Sequence, residues 1–397
     1  MKSQIIDWGR HLRGYAPLLK KMAGFPEPRG ESWDYTGEEF RAQRARLLDR
    51  LHPDRMRLRV EKIIVETFST MTLRMSRVDG PLPVFRPGQY VNLFVEIGGV
   101  RTARPFSISS SPGSPWLDLT VREVPGGFVS PYLCGEVPRR TEFEATGPQG
   151  SFFHDALIDG DRLLFLAGGS GITPFMSMLR NCAATRWPYR VHLLYGSRTS
   201  RDVLFGRQLK ALAKAHPGFT WDLVLSEPGP RDKGPTGFLD GDAIINAVGR
   251  EGLDASKVFV CGPDKMLTLV RAALQDLDVP VHRQKWELFG VPDDITRSDL
   301  WPRGLARDAE VKITVEGGGT FRASAAEPLL NSLERHGYAV PSICRSGECS
   351  MCRTRLKKGR VIVPSRVVLR QSDVWAGYIH PCVSYPIEDL VVRLPNS

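Results

Sequence analysis

The stretch CRSGECSMC, residues 344–352, packs three of the chain's seven cysteines into nine residues, and a fourth, Cys382, follows after a gap of twenty-nine. Cys344, Cys349, Cys352 and Cys382 therefore space as C-x4-C-x2-C with a distant fourth thiol, the spacing by which four thiolates hold a [2Fe–2S] cluster. Three thiolates on one tight loop can wrap one side of such a cluster. Gly347 among them permits a positive φ and lets backbone N–H groups approach the sulfides. A ligand brought from elsewhere closes the cage. Zinc is the competing reading, but zinc ribbons pair two short C-x2-C knuckles and only one such pair exists here. Cys134, Cys182 and Cys261 are scattered singly and cannot build a second cluster.

Outward from the loop, EVKITVEGGGTF (310–321) and EDLVVRLPN (388–396) alternate as strands do, while EPLLNSLERHG (327–337) carries apolar residues at helical spacing and ends in Gly337. That order resembles the β-grasp fold of plant-type ferredoxins over residues 309–397. At 397 residues and 42% hydrophobic content, the whole chain suits two to four domains. The most apolar windows, such as LLFLAGGSGI (163–172), are short and broken by glycine, so no membrane span is expected. The start, MKSQIIDWGRHLRGYAPLLKKMAGF, lacks a continuous apolar core and a small-residue cleavage site, which predicts a cytoplasmic address. In such a compartment seven cysteines point to metal or redox chemistry rather than to disulfides.

A one-electron cluster fed by a two-electron hydride donor needs a flavin between them. RPFSISSSP (104–112) lies between the alternating segments GQYVNLFVEI and LDLTVREV. It resembles the R-x-[YF]-S motif of the ferredoxin–NADP reductase superfamily. By that resemblance Arg104 faces the flavin phosphate, Phe106 lies against the isoalloxazine ring, Ser107 hydrogen-bonds near N5, where hydride arrives, and Pro105 belongs to the same cofactor-binding run. Further on, VPGGFVSPYL (124–133) places Gly127, Phe128, Val129 and Ser130 at a helix start, a seat for a diphosphate. In the family this run holds the pyrophosphate that FAD has and FMN lacks. FAD is expected, with FMN as the fallback.

Next, DRLLFLAGGSGITPFMSML (161–179) reads as buried strand, glycine turn and helix. Gly168, Gly169 and Gly171 let backbone approach a pyrophosphate, and the helix N-terminus adds partial positive charge. The run is not G-x-G-x-x-G. It is similar to the superfamily's G-G-x-G-I-T-P, which puts Thr173 and Pro174 beside the nicotinamide. VFVCGPDKML (258–267) resembles the C-G-P motif, which places Cys261 near the nicotinamide C4, with Gly262 and Pro263 shaping the turn. In LLYGSRTSRDVLF (193–205), Ser197, Arg198 and Arg201 follow a strand end, where a hydroxyl and guanidinium suit a 2′-phosphate and an acidic residue would suit a bare ribose. NADPH is expected over NADH. Glu287 and Phe289 in KWELFG (285–290) are expected to cap the flavin or nicotinamide pocket.

Together these motifs resemble the modular flavin and iron–sulfur reductases that feed oxygenases and desaturases, over residues 56–397, with the phenylacetyl-CoA epoxidase reductase type nearest in pattern. The expected architecture is multidomain: a basic helical N-terminal extension (1–55), an antiparallel β-barrel binding FAD (56–155), a Rossmann-like α/β domain binding NAD(P)H (156–290), a linker (291–308) and a β-grasp ferredoxin domain (309–397). Hydride would pass from NADPH to FAD, and single electrons through the cluster to a terminal oxygenase, hydroxylase or desaturase, with Ser107 and Cys261 as the catalytic residues. A redox-sensing or electron-relay module without turnover is the alternative. Residues 309–397 hold twelve Lys and Arg against eight Asp and Glu, with Arg345, Arg353, Arg355, Lys357, Lys358 and Arg360 crowding the cluster loop, so the partner is expected to present an acidic face. Residues 1–22 carry five Lys and Arg against one Asp, and Ile5, Trp8, Leu12, Tyr15, Leu18 and Leu19 recur at helical spacing. Such a helix packs on its own domain, docks on a partner or lies on an anionic membrane. The net charge of +10 is matched by no nucleic-acid-binding motif, and no nucleic-acid partner is expected.

Overall fold

The computed structural model describes residues 38, 41, 42, 44–46, 53–185, 189–291, 294–365, 367 and 369–395. The chain divides into two units, Met1–Leu48 and Asp49–Ser397. The described residues of the first are helical and exposed. The basic amphipathic stretch 1–22 lies outside the described residues.

Every element named here belongs to the second unit. Strands β1 (Met56–Thr67), β2 (Thr70–Arg77), β3 (Tyr90–Ile97), β4 (Val100–Ser107), β5 (Leu117–Arg122) and β6 (Glu142–Ala145) form an antiparallel sheet ordered β4-β3-β6-β1-β2-β5. A bridge between Ile108 and Leu119 brings the end of β4 back to β5 and closes the sheet into a barrel. Met56, Leu58 and Val60 point inward, while Arg57 and Arg59 between them point out, the period-two pattern of a strand with one wet face. Helix α1 (Ser130–Gly135) starts with Pro131 in its first turn, where a missing N–H costs nothing, and buries Leu133 and Cys134 in the barrel core.

The next sheet is parallel throughout, ordered β11-β10-β7-β8-β9, from β7 (Arg162–Gly168), β8 (Arg190–Ser197), β9 (Phe219–Leu225), β10 (Lys257–Cys261) and β11 (Gln284–Glu287). Helices α2 (Thr173–Thr185), α3 (Gly206–Ala215), α4 (Gly241–Asp254) and α5 (Asp264–Asp276) connect its strands. Leu163, Phe165 and Ala167 pack into one apolar cluster and Leu164 and Leu166 into another, so both faces of β7 are covered. This explains why LLFLA is a continuous apolar run rather than an alternation. Each of the leucine and phenylalanine side chains, fully buried, contributes about 1.5–3 kcal/mol. Strand order reverses between β7 and β10, which opens a crevice at their carboxyl ends.

The third sheet, ordered β13-β12-β18-β14-β16, takes β12 (Glu310–Val315), β13 (Thr320–Ser324), β14 (Thr354–Lys358), β16 (Tyr378–Ile379) and β18 (Leu390–Arg393). β12 and β18 run parallel and the other pairs antiparallel, with helix α6 (Leu329–Arg335) burying Leu329, Leu330 and Leu333 against them. The small pair β15 (Val361–Ile362) and β17 (Tyr385–Pro386) and the short helix α7 (Gln371–Trp375) complete this β-grasp unit. In the stretch before it, Asp294 caps a single turn by accepting from the Thr296 N–H at 3.0 Å, and Ile295 is buried. No helix among the described residues is long and apolar enough to cross a membrane.

Candidate functional site

The cysteine loop folds inward because its backbone turns left-handed three times, at Arg345 (φ 50°), Gly347 (φ 87°) and Ser350 (φ 55°). Gly347 has a second reason to be glycine: a Cβ there would come within 2.6 Å of Val367 Cγ1. Cys344, Cys352 and Cys382 are buried and Cys349 is half-buried. The N–H groups of Ser346 and Cys349 each donate to Cys344 Sγ at 3.4 Å, and Cys352 Sγ lies 3.4 Å from Cys382 Sγ. Among the described residues no set of three or more His, Cys, Asp or Glu side chains is arranged around a single metal ion. The four thiols instead form one contiguous group, Cys344 touching both Cys349 and Cys382 and Cys382 touching Cys352, a donor set that fits two bridged irons. The Ser346 hydroxyl, buried without a partner, fits the same group. His380 braces the loop from behind, with Nδ1 on the Gly347 carbonyl and Nε2 on Asp373 Oδ2, both at 2.9 Å.

In the barrel, Ser107 ends β4 opposite Tyr90 at the start of β3. Its hydroxyl is buried and has no partner, a state that costs about 1–3 kcal/mol unless a ligand relieves it. That orphan fits a flavin. Arg104 donates through Nη1 to Thr102 Oγ1 at 2.6 Å and to the Ala103 carbonyl at 2.8 Å. Burial, with the neighbouring Arg345 guanidinium, pulls its pKa down to about 9, so the position welcomes an anion. Pro105 and Phe106 are half-buried, and Phe106 packs on the barrel core. In the glycine run, Gly126 has φ 71° and a Cβ on Gly127 would meet the Val124 carbonyl at 2.9 Å. Val129 is buried and Phe128 exposed. The Ser130 hydroxyl accepts from the Val124 N–H at 2.9 Å and so closes the run onto the first residue of α1.

At the switch point the two glycine turns pack on each other. A Cβ on Gly171 would sit 2.3 Å from the Cys261 carbonyl oxygen, and one on Gly168 would sit 2.3 Å from Met266 Sδ and 2.9 Å from Pro263 Cδ. A Cβ on Gly262 would sit 2.6 Å from Met266 Sδ. These glycines thus serve contact between the turns as well as the phosphate approach that their pattern suggests. Gly169 takes φ 51° and its carbonyl accepts from the buried Tyr195 hydroxyl at 3.0 Å. Thr173 and Pro174 are buried at the start of α2, Thr173 donating to the Ser170 carbonyl at 2.9 Å. Cys261 is buried, and that burial pushes its thiol well above its ordinary pKa, so it stays a neutral thiol. At the end of β8 the Ser197 hydroxyl turns inward to donate to the Thr199 carbonyl at 3.1 Å, and past it Arg198 pairs with the buried Asp202 at 3.5 Å and Arg201 is exposed. An acidic group therefore does follow this strand, but Arg122 of β5, 3.3 Å away, also neutralises it.

The three regions meet at one junction. Register sets Cys261 opposite Glu287 and Tyr90 opposite Ser107, and the Phe289 ring meets Tyr90 edge-on at 6.1 Å between centroids. Burial, then the charges of Glu348 and Cys344 on the cluster loop, hold the Glu287 carboxyl well above the usual carboxylate range. The same loop raises the Tyr90 phenol, whose burial is the larger cause. Tyr90 escaped the sequence reading because a tyrosine in an alternating strand looks like core. Of the cations expected to line the outer surface, Arg345 is 7% exposed, held inside by Glu334 and Thr102, and does not belong to that surface. Arg360 is exposed and pairs with Glu388 at 2.8 Å. Arg353, Arg355, Lys357 and Lys358 are exposed, and both guanidiniums lie 5.8 Å from the Tyr378 ring.

Residues 55–154 match the family described as oxidoreductase FAD-binding domain, 165–272 the oxidoreductase NAD-binding domain, and 313–386 the 2Fe-2S iron–sulfur cluster binding domain. The glycine betaine monooxygenase reductase subunit of Pseudomonas aeruginosa is 30% identical over 350 residues, spanning 84% of this chain and 94% of that protein. A 1,2-phenylacetyl-CoA epoxidase subunit of Escherichia coli is 27% identical, spanning 84% and 96%. The solved structure of phthalate dioxygenase reductase superposes with a TM-score of 0.65 over 86% of this chain and 98% of that one, at 21% identity, a likeness of fold.

Proposed function

The chain belongs to the ferredoxin–NADP reductase superfamily, as a modular oxidoreductase with a C-terminal plant-type [2Fe–2S] ferredoxin domain, and from that premise we propose that it draws hydride from NADPH and delivers single electrons to a terminal oxygenase, hydroxylase or desaturase. The observation that carries the proposal is the junction where Ser107, Cys261 and the cluster loop converge around Tyr90, Glu287 and Phe289. Arg104 and the run Gly127–Ser130 would hold the phosphates of FAD, while Ser107 would offer its unpartnered hydroxyl to the ring. Cys344, Cys349, Cys352 and Cys382 would hold the cluster. Bound there, a flavin supplies the conversion of a two-electron hydride into single electrons, and the cluster carries them one at a time.

The protein groups position and exclude water. Cys261, a neutral buried thiol, and Thr173 shape the place for the nicotinamide, and Phe289 closes it beside Tyr90. A protonated Glu287 keeps a second negative charge away from the site where hydride is accepted. Arg198 and Arg201, exposed past β8, support NADPH over NADH. The glycine betaine relative is by name the reductase subunit of a monooxygenase, which supports a partner of that kind here.

Purified protein loaded with FAD and iron–sulfur is expected to reduce cytochrome c with NADPH at a turnover within the ordinary range of about 1–10³ s⁻¹, with the higher kcat/KM for NADPH. A protein that binds NADPH without turnover would instead be a sensing module. A tenfold or greater preference for NADH would remove the argument from Arg198 and Arg201.

A further inference from the structure

Between the barrel and the ferredoxin unit lies a polar cluster that adjoins the flavin site at Arg104. Arg345, the residue after the first cluster cysteine, forms an ion pair with Glu334 of α6, and the two side chains are 8% and 9% exposed. The Glu334 carboxylate also accepts from the Thr102 hydroxyl of β4 at 2.8 Å, and Arg345 Nη2 donates to Thr102 Oγ1 at 2.9 Å. Arg345 Nη1 adds a bond to Asn331 Oδ1 at 3.2 Å. Thr102 is two residues before Arg104 on the same face of β4, and Arg104 donates to the same hydroxyl. One threonine oxygen thus gathers a strand of the flavin barrel, a helix of the ferredoxin unit and the cluster loop itself.

The charges explain why the contact is specific. Two guanidiniums, Arg104 and Arg345, share one carboxylate in a buried place, and Arg345 helps depress Arg104. Without Glu334 the two cations would face each other away from water, and separation of the units would be the relief. Arg345 also adopts a left-handed backbone (φ 50°), uncommon for a side chain of this size, and from that turn its side chain reaches inward to Glu334 and Thr102.

We infer that Thr102, Glu334 and Arg345 form an interdomain latch that positions the cluster loop against the flavin-binding strand for electron passage between them. None of the three touches a reacting atom; they are positioning residues. The inference rests on the proposed flavin and cluster sites, and the test separates the two. In the loaded full-length chain, Glu334→Gln is expected to leave the rate of flavin bleaching by NADPH within twofold of the parent, and Glu334→Gln and Thr102→Val are each expected to slow the subsequent reduction of the cluster at least tenfold. Amide hydrogen exchange over residues 329–335 and 344–352 should accelerate in both variants, and Thr102→Ser, which keeps the hydroxyl, should restore both readouts. Unchanged cluster reduction together with unchanged exchange in Thr102→Val and Glu334→Gln would overturn the latch. If no nucleotide bleaches the flavin of the parent protein, the functional reading fails and exchange alone judges the latch: lost protection supports it, retained protection refutes it.

Discussion

Glu287 is 7% exposed at the end of β11, and its carboxyl is held neutral far above the usual range chiefly by burial. The sign of its effect on stability follows directly. The folded chain keeps a proton that the unfolded chain releases above about pH 4.3, so stability falls as pH rises past that value, at about 1.4 kcal/mol for each unit by which the pKa is raised. Glu287→Gln removes the titration and keeps the shape. It should melt with the parent near pH 4 and above it at pH 8, by about 2–4 °C per kcal/mol, in matched thermal unfolding scans. Equal melting at pH 8 would mean that the carboxyl ionises freely in the fold. The motif KWELFG suggested that Glu287 and Phe289 cap a pocket, yet nothing in it announced Tyr90, which lies nearly two hundred residues earlier. A cross-strand pair and an edge-on ring contact are long-range facts, and no local pattern encodes them.

At the scale of elements, the glycine turns were legible as turns, but their tightness was not. Strand, GGSG and helix follow from apolar run, glycine and apolar periodicity, whereas the 2.3 Å approach of a Gly171 Cβ to the Cys261 carbonyl depends on β10 lying beside β7. Gly171→Ala should therefore push the two turns apart. A cost of about 1–3 kcal/mol is expected, with NADPH binding weakened at least tenfold while FAD and iron contents stay near those of the parent. Gly241→Ala is the matched control: at the first residue of α4 an added Cβ meets only Leu277 at 3.8 Å, ordinary contact, and the change should be neutral or stabilise by a few tenths of a kcal/mol. Nucleotide affinity by titration and melting temperature separate the two variants. Likewise the thiol spacing was readable from CRSGECSMC, but the brace from His380 to Gly347 was not, since thirty-three residues separate the two.

At the scale of the molecule, the charge count over residues 309–397 was coarse about place. It grouped Arg345 with the outer cations because it follows a cysteine in sequence, whereas the fold turns it inward to Glu334. What remains outside is Arg353, Arg355, Lys357 and Lys358 on and beside β14, with Met351, Val374 and Trp375 exposed at 47%, 48% and 80%. Exposed apolar side chains near a group of cations fit a transient partner, the charges steering encounter and the apolar groups holding it. Met351 lies between Cys349 and Cys352, so this face is also near the least buried of the cluster thiols. Steering by charge acts on association and fades as salt screens it, over about 8–10 Å at 0.10–0.15 M. The double variant Arg353→Glu, Arg355→Glu should accordingly slow electron delivery to the cognate acceptor at least tenfold at low ionic strength and less at 0.5 M salt. Reduction of a small neutral dye by NADPH should stay within twofold, because the junction proposed to accept hydride, around Tyr90 and Glu287, faces Cys344 and Glu348 of the loop. Stopped-flow traces with the acceptor at several salt concentrations measure both arms. Acceptor kinetics that match the parent at every salt concentration would mean that the partner approaches elsewhere.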